Sequence, residues 1–433
     1  MATSLEQGHP EAGARRADPR RGRRAAGVLA VAAIVETAAM AVVGVATGPA
    51  PWSIVRLLLI AAIGGLAVRT VVRGSRRVRA AVALFLGVLG TVVGLGLGVM
   101  RATNSTDLVA VAGLFALGAG LVLMIGGAVA LARTLTRPWR WLLLPAGVLL
   151  VVFVLYPVPS ALYATNVPRP SVGSSTPADV GLDYTDVSFP ASDGVRLAAW
   201  YIPSRNRAAV ILLHGATSTR SSVLAQASVL ATHGYGVLMV DARGHGDSDG
   251  TAMDFGWYGD QDIIGAVSYL AAERPDVDPG RIALVGMSLG GEEAVGAAAV
   301  DRRIRAVVAE GVTGRVLADR GWLPGGWRGT VQRGIDAVLY ATTDLLTDAT
   351  SPPSLHDAVR DASPTPVLLI AGGAVMANTE EDAGRWMQSG SPETVDLWVV
   401  PGSGHTGGLG TAPAEWESRV NLFLDDALLR SPA

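Results

Sequence analysis

Ser288 stands in the pattern Gly-x-Ser-x-Gly, filled by Gly286, Met287, Ser288, Leu289 and Gly290. An apolar run begins at Ile282, and small, helix-compatible residues follow from Glu292 to Val300. Strand, glycine-flanked serine and helix are the parts of a nucleophile elbow. There the glycines let strand and helix close up, and the serine hydroxyl is exposed at the tip of a strained turn. The helix N-terminus beneath it favours negative charge. A serine hydroxyl needs a base, and the base needs an acid to orient it. The expected base is His405, in Gly402-Ser403-Gly404-His405-Thr406-Gly407-Gly408, just after the last strand-like run and last in the order Ser, acid, His. His214-Gly215-Ala216 follows another strand-like run. The backbone N–H of Ala216 pairs there with that of Leu289 to bind an oxyanion, and His214 shapes the loop. His245 stabilises a further loop, and His233 and His356 read as surface helix residues.

The acid is less sharply marked. It belongs after the strand 367–371, yet the loop 372–378 has no carboxylate. Glu380, Glu381 and Asp382 come next, at a helix start, where acidic residues also simply favour the helix dipole. Glu380 or Glu381 is the expected acid. Glu310, ending the preceding strand, is the rival, because it lies one sheet position nearer the serine.

These groups need a scaffold. From about residue 182 the chain alternates strand-like and helical segments. A hairpin formed by 184–190 and 196–202 turns at Ser192-Asp193-Gly194. Strands 209–213 and 236–241, the elbow strand beginning at Arg281, and strands 305–310, 367–371 and 394–400 then interleave with helices 221–233, 257–273, 292–300, 380–389 and 413–430. This alternation predicts an α/β domain with a mostly parallel sheet and helices on both faces.

Leu213-His214-Gly215, the run Asp241-Ala242-Arg243-Gly244-His245-Gly246-Asp247-Ser248, Gly286-Met287-Ser288-Leu289-Gly290 and Gly404-His405, in this order, resemble the α/β-hydrolase family. The likeness is to its esterase, lipase and serine-aminopeptidase-like members, and covers about 182–430. It implies Ser288 as nucleophile, His405 as base, and Ala216 with Leu289 as oxyanion donors. It also implies that the insertion 311–365 is a cap. Trp322, Trp327, Leu339, Tyr340, Leu345 and Leu346 on that cap suit either a greasy substrate or a small core of its own. The departure from the family pattern is the absence of an Asp near Val375.

The chain has 433 residues, 50% hydrophobic and 17% charged, with a mean hydropathy of +0.37. That is too apolar for an ordinary soluble protein and too long for one domain. There is no cysteine and no lysine, so disulfides, thiolate chemistry and Ser-Lys chemistry are excluded. A net charge of -2 gives no nucleic-acid signal. No metal or organic cofactor is implied.

The apolar excess lies in five stretches, 25–46, 54–72, 80–100, 108–132 and 141–156, the last being the shortest. The expected organisation is an Arg-rich tail (1–24), a bundle of about five membrane helices (25–156), a Pro/Ser/Thr-rich tether (157–180) and the hydrolase-like domain (181–433). Arginines alternate between the connections: Arg15, Arg16, Arg20, Arg21, Arg23 and Arg24 in the tail, then none, then Arg69, Arg73, Arg76, Arg77 and Arg79. Arg101 follows alone beside Asp107, and then Arg133, Arg137 and Arg140. The positive-inside rule puts the N-terminus in the cytoplasm and the C-terminal domain outside. The first span reads as an anchor rather than a cleaved signal peptide. Gly90, Gly94 and Gly98 are expected to pack within the chain's own bundle, and Glu36 reads as a structural carboxyl near the middle of the first span. The function expected is a membrane-anchored serine hydrolase acting through an acyl-enzyme on a small-molecule or lipid-like ester. Acyl transfer, peptide hydrolysis and a non-catalytic binding protein are the alternatives, and a transporter with a hydrolase appendage rests on Glu36 alone. The sequence assigns no oligomeric state.

Overall fold

In the computed structural model, residues 19–47, 50–251, 253–375 and 378–430 are described. Arg15 and Arg16 of the tail, and Met376 and Ala377 of the loop searched for an acid, lie outside them. The chain divides into two compact units, Met1–Gly98 with Val111–Ala146, and Val99–Ala110 with Gly147–Ala433.

Among the described residues five helices are long and apolar enough to cross a membrane: Arg24–Thr47, Ser53–Arg73, Arg76–Met100, Leu108–Thr134 and Arg137–Ala164. Within the first unit small residues set the packing. A Cβ on Gly87 would meet the Met124 backbone at 2.1 Å, on Gly94 the Leu117 backbone at 2.5 Å, and on Gly98 the Gly113 backbone at 2.7 Å. The third helix therefore touches the fourth almost backbone to backbone, which only glycine permits. Gly90 leaves room for the buried Glu36 carboxyl, whose carbon would lie 2.7 Å from an added Cβ. Ala33, Ala83 and Leu123 fill the bundle's core.

The second unit is built on an eight-stranded sheet. Its strands are β1 Thr185–Pro190, β2 Arg196–Ile202, β3 Ala209–Leu213, β4 Gly236–Val240, β5 Ile282–Met287, β6 Ile304–Glu310, β7 Val367–Gly372 and β8 Val395–Val400. The order is β1-β2-β4-β3-β5-β6-β7-β8. β1 and β2 form the antiparallel hairpin, β2 runs antiparallel to β4, and the other neighbours are parallel. β3, β4, β5 and β7 are buried along their whole length. That burial is why they read as unbroken Val/Ile/Leu runs without alternation. One apolar cluster packs helices Gly259–Glu273 and Leu289–Val300 on one face of the sheet. A second packs Leu224–His233 and Pro413–Leu428 on the other.

Two boundaries differ from expectation. Residues 157–180 are not a free tether. Pro157–Ala164 is helical and extends the fifth apolar helix. Beyond it the Arg169 guanidinium donates to the carbonyls of Ser248 and Gly250, Gly246 N–H donates to Pro170, and Gly173 N–H donates to Ser221 Oγ. The composition suggested a linker, but here Arg169 and Gly173 donate, and Pro170 accepts, the hydrogen bonds that strap the segment to the domain. The cap is also shorter than 311–365, because Leu355–Ala362 belongs to the main core. Its Leu355, Ala358, Val359 and Ala362 form one apolar helical face, buried with the elbow helix residues Ala294 and Ala298. The helix that remains within the cap is Trp327–Leu346.

Candidate active site

β5 ends at Met287, and the helix Leu289–Val300 begins two residues later. Ser288 between them has φ 53° and ψ -120°, a strained conformation for a residue with a side chain. The turn closes only because its neighbours lack side chains. A Cβ on Gly286 would lie 2.3 Å from the Gly290 carbonyl oxygen, and one on Gly290 would lie 2.5 Å from the His214 carbonyl oxygen. Ser288 N–H donates to the Glu310 carbonyl at the end of β6 (2.7 Å), which fixes the turn to the sheet edge.

His405 lies in the loop after β8. The Ser288 hydroxyl donates to its Nε2 at 2.9 Å, and its Nδ1–H donates to Glu380 Oε1 at 2.6 Å. Glu380 is only 1% exposed. Its second oxygen accepts the Gly372 N–H at 2.7 Å, so the carboxylate is held from both sides. The hydrogen bond to Glu380 raises the His405 pKa above its ordinary 6.5, against the opposing effect of partial burial. The side chain of His405 is 53% exposed, so a substrate can reach the ring.

Of the two glutamates at this helix start, only Glu380 reaches the histidine. Glu381 points outward and pairs with Arg385 at 2.6 Å. With His405 Nδ1 taken by Glu380, Glu310 does not bond it. Its Oε1 accepts the Gly408 N–H at 2.7 Å and its Oε2 accepts the Trp416 indole N–H at 3.0 Å. Through its backbone Glu310 holds Ser288, and through its side chain it holds the loop that carries His405. The sequence offered no signal for that double tie, since the donors come from distant segments.

Leu289 is the first residue of the elbow helix, so its N–H has no partner within the helix. Gly215, beside Ala216, comes so close that an added Cβ would lie 3.3 Å from the Ser288 Cβ. The loop holding Ala216 is fixed by His214, which is buried. Its Nδ1–H donates to the Gly215 carbonyl at 2.8 Å, and its Nε2 accepts the Ala242 N–H at 3.1 Å. Burial lowers the His214 pKa to about 3, so the ring stays neutral, as its accepting Nε2 requires. His245 is buried beside it, its Nδ1–H donating to the Arg243 carbonyl. His233 pairs with Asp425 at the surface, and His356 stacks on Trp386.

One side of the site was not anticipated. Residues 253–258 cross the elbow helix, and an added Cβ on Gly256 would lie 3.1 Å from the Leu289 side chain. Met253 and Tyr258 share a cavity with His214, Gly215, Leu289 and Glu293. The aromatic run Phe255, Trp257 and Tyr258 was the available signal, of which the expected helix 257–273 takes in only Trp257 and Tyr258. The helix begins only at Gly259.

A parallel sheet with a strained serine at the end of one strand, and a histidine loop after the last, defines the α/β hydrolases. Residues 204–315 match the family model described as serine aminopeptidase, S33. The chain is similar to YfhR of Salmonella typhi, 32% identical over 155 residues. That match covers 34% of this chain and 51% of YfhR, so the chain spans about half the length of that relative. The similarity to Rv2307c of Mycobacterium tuberculosis is longer: 31% identity over 249 residues, 55% of this chain and 76% of that protein. Among solved structures it is similar to the esterase Pf2001 of Pyrococcus furiosus, with 25% identity and a TM-score of 0.50, over 61% of this chain and 98% of that one. The chain belongs to the α/β-hydrolase family.

Proposed function

We propose that this is a membrane-anchored serine hydrolase that cleaves carboxylic esters on the extracytoplasmic side through an acyl-enzyme. The observation that carries the reading is the unbroken line of hydrogen bonds from Ser288 Oγ through the His405 ring to Glu380. Ser288 Oγ attacks the ester carbonyl carbon while its proton passes to His405 Nε2. The oxygen that becomes negative is met by the N–H groups of Ala216 and Leu289. Glu380 keeps the ring oriented and stabilises the imidazolium. When the carbonyl-to-alkoxide bond breaks, His405 gives its proton to the departing oxygen. Water then enters, loses a proton to His405 and attacks the acyl carbon. The Ser288 oxygen leaves and takes that proton back.

The esterase among the similar structures supports the ester bond. Acyl transfer to a cell-envelope alcohol and peptide hydrolysis use the same steps with another acceptor or leaving group. The arginine alternation supports the outward placement of the domain, and five apolar helices support anchoring in a bilayer.

A fluorophosphonate probe tests the reading. It should label the wild-type chain once, on the peptide containing Ser288, and Ser288→Ala should abolish both labelling and ester hydrolysis. Folded wild type that takes no label, and hydrolyses no ester that Ser288→Ala spares, would leave a hydrolase fold serving only to bind.

A further inference from the structure

The helix Trp327–Leu346 in the cap carries two different faces. Trp327, Val331, Gly334, Val338, Ala341 and Leu345 fall on one side, the first and last separated by five turns of about 3.6 residues. Its charged residues fall elsewhere: Asp336 pairs with Arg320 at 3.2 Å, and Arg333 donates to the Leu323 carbonyl at 3.2 Å.

The apolar side is covered only in its middle. Gly334 lies against Phe153, whose ring carbon would be 2.9 Å from an added Cβ. Phe153 belongs to the apolar helix Arg137–Ala164. It precedes Ala164 by roughly 16 Å of helix, at about 1.5 Å per residue. If that helix spans a bilayer, Phe153 lies within the hydrocarbon on the side of the domain. The two ends of the cap-helix stripe overhang the contact. Trp327 is 73% exposed and Leu345 84%. Both project from the face that meets a segment apolar enough to span a bilayer, a face suited to contact with lipid. Trp327 with Arg328 stacked on it (5.5 Å) has the composition of an interfacial anchor.

The opposite side of the same helix reaches the active site. Tyr340 packs edge-on against Phe255 (5.7 Å), Thr347 just past the helix end donates to Asp254, and the 253–258 segment covers Leu289. Met253 N–H also meets the Ala164 carbonyl at the end of the apolar helix (3.4 Å). The wall beside the candidate oxyanion site thus rests on two elements that both face the bilayer.

We infer that the cap helix lies in the leaflet on the domain's side and that the substrate is a long-chain acyl ester resident in that leaflet, delivered to Ser288 along this wall. The inference rests on the hydrolase reading above. It assigns the acyl chain to the bilayer side and the departing alcohol to the exposed face of His405.

The test uses the full chain reconstituted in phosphatidylcholine vesicles. One substrate is a fluorogenic long-chain diacylglycerol ester in the bilayer, the other is soluble p-nitrophenyl acetate. The double variant Trp327→Asp/Leu345→Asp changes two exposed side chains, and should lower turnover of the bilayer ester by about tenfold. Its rate on p-nitrophenyl acetate should stay within about twofold of wild type, because solvent reaches His405 directly. Lipids brominated in the acyl chain should quench wild-type fluorescence more than that of Trp327→Phe. Equal quenching, or a bilayer-ester rate indifferent to the double variant while p-nitrophenyl acetate is still turned over, overturns the bilayer route alone. Failure of wild type on both substrates, with no fluorophosphonate labelling, overturns the hydrolase reading and the substrate class with it.

Discussion

Three carboxylates near the site have separable jobs, and substitution can tell them apart. Glu380→Gln keeps the shape but removes the acceptor charge from His405 Nδ1. Turnover should fall by about 10⁴, the scale seen when a triad acid becomes an amide. Glu381→Gln should stay within about twofold, since Glu381 only pairs with Arg385 at the surface. Glu310→Gln should fall between them, by about tenfold, through loss of one buried hydrogen bond to the histidine loop. If Glu310→Gln instead collapses turnover while Glu380→Gln is mild, the assignment of the acid is wrong. The pH profile adds an independent check. His405 must be neutral to accept the serine proton, and Glu380 holds its pKa above 6.5. The acidic limb of kcat/KM should therefore have its midpoint above 6.5 in wild type and move to lower pH in Glu380→Gln. A midpoint that does not move shows that Glu380 does not set the charge of His405.

At the scale of elements, the elbow works because strand and helix meet where no Cβ fits. Gly290→Ala would place a Cβ 2.5 Å from the His214 carbonyl and 2.8 Å from the Leu213 Cβ, and neither neighbour can give. It should destabilise the full chain by about 1–3 kcal/mol in thermal unfolding and abolish labelling of Ser288. Gly404 offers a contrast inside the His405 loop. An added Cβ there meets nothing within 4 Å, and its φ is not in the left-handed region. Gly404→Ala should unfold like wild type and retain its turnover. Two glycines equally prominent in the motifs thus separate into one that the packing requires and one that it does not.

At the scale of the whole chain, the arginine pattern makes a prediction that hydrolase chemistry does not touch. Arginines cluster before the first apolar helix, between the second and third, and between the fourth and fifth. With five spans, a reporter active only in the cytoplasm and fused after Ala433 should be silent, and one active only outside should signal. The reverse result would leave an even number of spans, with the fifth as the one to drop. Such a chain would place the proposed hydrolase, and any leaflet it draws on, on the cytoplasmic side.

The elements of the sheet were legible because burial leaves a local mark. A strand covered on both faces is a short unbroken apolar run, and Ala209–Leu213 is bounded in the fold as it is in the sequence. The serine turn was local in part: Gly286 is demanded by the backbone of Gly290 four residues on, although Gly290 is demanded by His214 and Leu213 at the end of the neighbouring strand. Five apolar helices follow from length and hydropathy alone. What the sequence left open depended on distance along the chain. Glu380 and Glu381 are neighbours of the same type. Only the packing of their helix turns one to His405, 25 residues away, and the other to solvent. Glu310 faces Gly408 and Trp416 across a gap of about a hundred residues, so its role as a brace had no local sign. The segment 157–180 and the helix Leu355–Ala362 were misread for the same reason. Proline, serine and threonine look like linker until partners for their backbone appear, and a short amphipathic helix carries no record of which core it joins. Periodicity and steric need are written into neighbouring residues. Which of two equivalent side chains meets a distant partner is decided only when the sheet brings the ends of its strands together.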